Sequence, residues 1–444
     1  MPVTMLGRNQ RRHLGVASAA GICIASMIGS GIFSVPGIIG PSLGTPFNVL
    51  LAWTLGAVLA LCGGFIVAEI AAANPTAGSV YHTIHNTLGA RTGYLFGTVS
   101  VFVGYIASLA VVALITAAYA HHFLPEIDVR LLATAFIVVP ATIHALKVIA
   151  GARLNDAFVA LKLAIMAVFI GAGMFTHIDP ITASAAAMAE APPPAPFSIA
   201  VGAAVISINF AYLGWSSVNT VAGEVRRPQR TLPIAILGAV AVVTTTYLLI
   251  NIVFMRAIPP AAMVGADDEP MADIGAVVAR LYFGEIGGDI VTLAIIAILL
   301  STLTTMLFTG SRLFLAMAWK GELPASLGRC NAAGAPSTSI AWYAGISIVL
   351  LWVAPVEALL EYTGLLTTFC AALAGVTVLV LRRNVRGRPF SMPLHPLPAC
   401  VFLALSGWLL VSSAWADPTV TLASIGTILC IVLLRPVLTR NPTT

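Results

Sequence analysis

Charge is what this chain lacks. Asp, Glu, Lys and Arg together make up 9% of its 444 residues, against roughly 25% in soluble domains, which excludes a water-exposed globular surface. Cysteine is scarce as well. Cys23, Cys62, Cys370, Cys400 and Cys430 lie within or at the ends of apolar runs, and Cys330 lies in a polar loop. No Cys-x-x-Cys or Cys/His metal spacing occurs, so neither a disulfide framework nor a metal site is expected. The six read as packing residues, with the Cys23 thiol expected within reach of a pore. The eight histidines supply no helical pair at ligand spacing, and His82/His85 and His121-His122 fall in loops. The Gly-x-Gly at 29–31 lacks the third glycine and the Lys-Ser/Thr of a phosphate loop. With no Ser/His/Asp setting either, no catalytic residue, metal or cofactor is expected, and an intramembrane enzyme is disfavoured.

Apolar residues are what the chain has, at 59%. A membrane span needs about 20 of them in a row. Twelve segments qualify, near 14–40, 47–72, 92–120, 129–147, 155–176, 198–223, 232–255, 286–318, 338–354, 357–381, 396–413 and 418–435. The first is too long for a cleaved signal peptide. The predicted fold class is therefore an all-α integral membrane protein with 12 transmembrane helices.

The sparse charge sets the orientation. Of 22 Lys and Arg, 18 fall in the two tails or in the loops from even to odd spans. Arg130, Arg256 and Arg280 lie on the other side, and Lys162 lies inside a span. The positive-inside rule then puts both termini in the cytoplasm. Topology accounts for the net charge of +5, and a nucleic-acid partner is not expected. The Asp267-Asp268-Glu269 cluster and the Ala/Pro-rich stretch Ala183–Pro196 read as external loops.

The first span is interrupted by Gly29-Ser30-Gly31, with Pro36 five residues on, and a second interruption falls at Tyr212-Leu213-Gly214-Trp215. Lipid offers no partner to a freed backbone group, so a broken helix persists only where it is buried in protein or lines a wet cavity. Such breaks point to a transporter. They lie 183 residues apart, from Ser30 to Leu213, and each opens a group of five spans. Five is odd, so the second group runs upside down relative to the first, which is the geometry of an inverted repeat. The expected organisation is a tail (1–13), a first repeat of spans one to five (14–176), a second of spans six to ten (198–381), spans eleven and twelve (394–435), and a second tail (436–444).

The new half-helix after Gly31 exposes N–H groups carrying about half a positive charge, a natural seat for a carboxylate. Ser30 adds a hydroxyl, and the half-helix ending near Phe210 leaves carbonyls suited to an ammonium. An α-amino acid zwitterion needs this pair of complements. The competing reading of the glycines is close helix packing.

Several motifs carry a resemblance. Ile28-Gly29-Ser30-Gly31-Ile32-Phe33 resembles the first-helix motif of the amino acid–polyamine–organocation (APC) transporters. Phe210-Ala211-Tyr212-Leu213-Gly214-Trp215, with Gly223-Glu224 and Pro228 to Pro233, is similar to that family's sixth helix and its exit. Gly310-Ser311-Arg312, Gly321-Glu322-Leu323-Pro324 and Pro336 resemble its eighth, and Pro75 to Tyr81 its loop after span two. Lys162 in span five is similar to the L-type (LAT-like) branch. The resemblance implies a LeuT-type five-plus-five inverted repeat with broken helices 1 and 6, plus two helices, working by alternating access.

It further implies substrate contacts from Ile28, Gly29, Ser30, Gly31, Ile32, Phe210, Ala211, Tyr212, Leu213 and Gly214, with Phe210 as an aromatic gate. Leu213 stands where relatives have Gly or an acid. It narrows the pocket and supplies no counter-ion, while Glu69 and Glu224 lie near the cytoplasmic ends of their spans. Small or medium neutral amino acids are favoured over cationic ones.

Lys162 lies nine residues past Arg153, so it sits roughly 13 Å into the membrane. A charge at such depth is functional by default. The resemblance places its ammonium where sodium-coupled relatives bind a cation, near carbonyls by Gly29 and the hydroxyls of Ser301, Thr302 or Thr305. A tethered cation would remove the need for Na⁺. Because desolvation favours a neutral amine, a proton-coupling role stays open beside it.

The expected activity is thus sodium-independent exchange of neutral L-amino acids in the plasma (bacterial inner) membrane. The alternatives are proton symport through Lys162 and an amino-acid-sensing receptor, which would be expected to carry a signalling extension beyond tails of about a dozen residues. Amino acid and lipid bilayer are the expected partners. A heavy-chain glycoprotein is not: the resemblance implies that its linking cysteine belongs in the external loop before span four, and none lies between Ala120 and Leu131.

Overall fold

The computed structural model describes residues 14–73, 79–146, 152–176, 197–215, 217–218, 222, 225–265, 269–319, 321–332, 334–384 and 390–438. Both tails up to 13 and from 439, residues 75–78, Ala183–Pro196, Gly223-Glu224, Asp267-Asp268 and Lys320 lie outside the described residues. What is described is helical nearly throughout, with extended pairing confined to the single bridges Leu14–Val225 and Val264–Pro270.

The first apolar run folds as two helices, α1 (Val16–Met27) and α2 (Ser30–Leu43). Between them Ile28 (φ −75°, ψ 94°) is extended and Gly29 (φ −134°, ψ −148°) is non-helical. Next come α3 (Pro46–Ala73), the short amphipathic α4 (Ser79–Leu88) and α5 (Ala90–Val101). A π-helical turn, Phe102–Ala107, joins α5 to α6 (Ser108–His121). The continuous helix expected over 92–120 is therefore widened at mid-span. Neighbouring side chains meet the carbonyls there: the Tyr343 hydroxyl donates to Tyr105 (3.1 Å) and Ser347 Oγ to Ile106 (2.9 Å). Such bulges often mark functional positions.

The chain continues through α7 (Val129–Leu146), α8 (Ala152–Phe175), α9 (Phe197–Tyr212), α10 (Pro228–Ala257) and α11 (Ile274–Trp319), the last interrupted at Gly284 (φ 71°). It closes with α12 (Ser337–Val353), α13 (Val356–Asn384), α14 (Leu397–Ala416) and α15 (Pro418–Leu438). Among the described residues nine helical stretches are long and apolar enough to cross a membrane. Ala160–Phe175, Phe197–Tyr212 and Ser337–Val353 are shorter apolar helices in the remaining expected spans.

Large apolar side chains such as Leu131, Val139, Trp415 and Leu433 stand exposed on the outside, as a lipid-facing surface requires. Inside, tight packing does the work, because lipid is as apolar as a leucine core. α10 lies along α1 and α3, and α9 is enclosed by α2, α3, α13 and α14.

Three expectations need correcting. Cys330, Cys400 and Cys430 are exposed rather than packed, the last two on outward faces of the last two helices. Cys23 is fully buried, with its thiol 3.3 Å from the Trp215 carbonyl, so α9's exit loop covers it. Glu361, in the first turns of α13, is a further intramembrane acid; it accepts a hydrogen bond from Ser413 Oγ at 2.6 Å.

Glu69 lies near the end of α3 and is wholly buried. Arg382 donates from Nε to its Oε1 (2.7 Å), and the Met392 N–H donates to Oε2 (3.0 Å). On α4, Tyr81 donates to Glu322; burial, and then that neighbouring carboxylate, push its phenol above the usual range.

Candidate binding site between the two helix interruptions

The interruptions meet in a reciprocal contact. A Cβ on Gly31 would lie 2.6 Å from the Ala211 Cα, and one on Gly214 would lie 2.6 Å from the Ser26 carbonyl carbon. The start of α2 thus rests on the end of α9, while the turn after α9 rests on the end of α1. Gly214 also has φ +118°, a conformation L side chains rarely adopt. At Gly29 a Cβ would meet nothing within 4 Å, because that position borders open space.

The space is a cavity of about 590 Å³. Of the expected substrate contacts, Ile28, Gly29, Ser30, Gly31, Phe210, Leu213 and Gly214 line it. Ile32, Ala211 and Tyr212 do not; Tyr212 packs instead against Trp53 and Tyr247 behind the breaks. Lys162, Ser301, Thr302 and Thr305 all line it.

No side chain caps the start of α2, so its first N–H groups keep their hydrogen-bonding capacity and partial positive charge. Ser30 is 2% exposed, and its hydroxyl has no partner among the described residues. A buried hydroxyl is rarely left this way, and a carboxylate at this spot would satisfy it.

The carbonyls differ from expectation. α9 runs on to Tyr212, and the Phe210 carbonyl accepts from Leu213 N–H at 3.1 Å. The Tyr247 hydroxyl, on α10, lies 2.7 Å from the Met27 carbonyl oxygen and 3.0 Å from that of Ala211. One tyrosine therefore ties both breaks from behind. Its signal in the sequence was slight, a lone Tyr in an apolar run.

Lys162 is 7% exposed; its Nζ donates to the Ala25 carbonyl at 3.3 Å and to Thr302 Oγ1 at 3.4 Å. It bridges α1, one turn before the break, to α11. The Thr305 hydroxyl donates to the Ser301 carbonyl at 2.9 Å, one turn earlier on the same helix.

Further wall residues escaped the sequence reading: Ser100, Tyr105, Ser108, Asn209, Thr367 and Thr368. Each is a polar or aromatic residue within a long apolar segment, a signal that hydrophobic patterning averages away.

The cavity lining continues past Val67 to Val80 on α4. At the other end the Tyr119 hydroxyl donates to the Phe33 carbonyl (2.7 Å) and accepts from the Gly275 N–H (3.1 Å), joining α2, α6 and α11.

Residues 14–434 match the model of the amino acid permease family. The chain belongs to that family. It is an LAT-like member of the APC transporter superfamily. It is 27% identical over 432 residues to the large neutral amino acids transporter small subunit 2 of Rattus norvegicus, covering 92% of this chain and 77% of the relative. It is similar to the serine/threonine exchanger SteT of Bacillus subtilis (25% over 419 residues, 92% of each). It is also similar to the Asc-type amino acid transporter 1 of Mus musculus (26% over 434 residues, 92% of this chain and 78% of the relative).

Proposed function

We propose that this permease exchanges small or medium neutral L-amino acids by alternating access, without Na⁺. The observation that carries this reading is the pairing of the unpartnered Ser30 hydroxyl with the uncapped start of α2, on a cavity whose wall holds a single fixed cation, Lys162, among the described residues. The carboxylate sits at Gly29, Ser30 and Gly31. The ammonium faces the end of α9, where Ala211 and Phe210 carbonyls are already shared within the protein. Phe210 closes over the substrate, and Leu213 limits its size. Lys162 stands in for a bound cation, which supports ion-independent exchange.

The architecture that fits this activity is the twelve-helix, five-plus-five inverted repeat with 14–176 and 198–381 as its halves, in a bacterial inner membrane with both termini cytoplasmic. The lining that reaches Val80, together with the Phe33–Tyr119–Gly275 closure, then corresponds to an inward-facing state. A heavy-chain partner is not needed for the site.

The test is counterflow in proteoliposomes. Vesicles loaded with unlabelled alanine, serine, leucine or arginine are given labelled external alanine, with and without Na⁺ or a pH gradient. The reading expects uptake that requires internal neutral amino acid, ignores both ions and is lost in Gly29→Val. The long contacts of Lys162, neither of them to a carboxylate, favour proton symport as the second reading. Uptake into empty vesicles driven by an inward proton gradient would establish that instead. Absence of counterflow with every amino acid, from folded protein, sinks the substrate class.

A further inference from the structure

Asn209 is an amide on an otherwise apolar helix. It is 8% exposed and lines the cavity next to Phe210, with Ile208 fully buried on its other side. Burying an amide in a membrane helix is unfavourable unless its groups are paired. Its Nδ2 donates to Thr368 Oγ1 on α13 at 2.9 Å, and Thr368 Oγ1 lies 2.7 Å from the Gly364 carbonyl one turn earlier.

This chain of contacts fixes which way the amide faces. A carbonyl can only accept, so Thr368 gives its one proton to Gly364. Its oxygen can then only accept from Asn209, and the Asn209 atom facing it is the NH₂. Oδ1 therefore points away from Thr368, and it has no hydrogen-bond partner among the described residues. Thr367, also on the wall, lies 2.7 Å from the Thr363 carbonyl and has likewise committed its proton to the backbone. This part of the wall offers acceptors and lacks hydroxyl donors.

We propose that Asn209 determines side-chain specificity by accepting a hydrogen bond from a substrate hydroxyl, so that the site selects serine and threonine over alanine and valine. The inference rests on the cavity being an amino acid site. Threonine pairs its hydroxyl with Oδ1. Valine, of nearly the same shape, leaves the acceptor buried and unsatisfied. That asymmetry makes hydrogen-bonding sites reject analogues lacking the group more sharply than apolar pockets reject extra atoms.

The experiment is competition counterflow with the full-length protein in proteoliposomes. It measures half-saturating concentrations for serine against alanine and for threonine against valine. In the wild type each hydroxyl amino acid should bind roughly tenfold tighter than its partner, the effect of one hydrogen bond. Asn209→Leu should bring both ratios close to one. Thr368→Val, which frees the amide to turn, should lower them partway. The wild-type ratios need no variant to fold: equal handling of threonine and valine overturns the inference while transport itself stands. Ratios retained in Asn209→Leu overturn it equally. Folded wild-type protein that exchanges no amino acid fails the transport reading, and the inference with it.

Discussion

Gly214 lies directly on the Ser26 carbonyl, where an added Cβ would stand 2.7 Å from the oxygen. The same residue holds φ +118°, so Gly214→Ala meets both a clash and a strained backbone, each costing on the order of 1–3 kcal/mol. Gly29 has a negative φ (−134°) and open space before it. Gly29→Ala should therefore leave the fold intact and intrude only on the cavity. Thermal unfolding in detergent, read beside counterflow, separates the two. Gly214→Ala is expected to lower Tm and abolish exchange, whereas Gly29→Ala keeps Tm and raises the half-saturating concentration. Equal Tm loss in both would show that the interruptions are merely packing features.

Tyr247 is the second point of control, because its hydroxyl reaches both the Met27 and Ala211 carbonyls without lining the cavity. Tyr247→Phe removes the one proton that the two buried carbonyls share, at about 1–3 kcal/mol. It should lower Tm by several degrees and weaken substrate binding severalfold, since both breaks lose their common tie. A variant with wild-type Tm and affinity would remove Tyr247 from the account.

Much of this was legible in the sequence, and the reason is physical. Breaking a membrane helix is so unfavourable that Gly29-Ser30-Gly31 and Leu213-Gly214 stand out against twelve apolar runs, and an isolated Lys162 stands out for the same reason. Side-chain partners were not legible. Nothing in the pattern says that Tyr247 on α10 spans two breaks, that α9 continues past Phe210 to Tyr212, or that Asn209 meets Thr368 159 residues away. The π-turn at Phe102–Ala107 likewise leaves hydropathy unchanged while re-aiming Tyr105 into the wall.

Arg382 and Glu69 tie α13 to α3, with the Met392 N–H as a further donor. The Glu69 carboxylate is wholly buried, so Arg382→Ala breaks a buried ion pair and should cost about 3–5 kcal/mol. Replacing both with apolar or neutral groups, as in Glu69→Gln with Arg382→Met, removes the charge along with its partner. A double-mutant cycle on thermal unfolding should find the pair of substitutions less damaging than Arg382→Met alone. Additive losses would mean that the two residues act independently.

Lys162 separates function from stability. Its ammonium is buried and held by two long contacts, to Ala25 and Thr302, and neither supplies a countercharge. An ionised lysine at the centre of a membrane helix is unfavourable by about 2.5–3.5 kcal/mol, and a neutral side chain of similar length escapes that term. Lys162→Met should therefore raise Tm while exchange falls by tenfold or more, since α1 and α11 lose the cation that links them beside the break. A structural lysine would behave differently, with Tm and exchange falling together. A small alkylammonium added to Lys162→Ala offers the finer distinction: recovery of exchange in its presence supports a tethered cation that works by position. Exchange that stays lost, while the wild type shows proton-driven uptake, supports a lysine that works by releasing its proton.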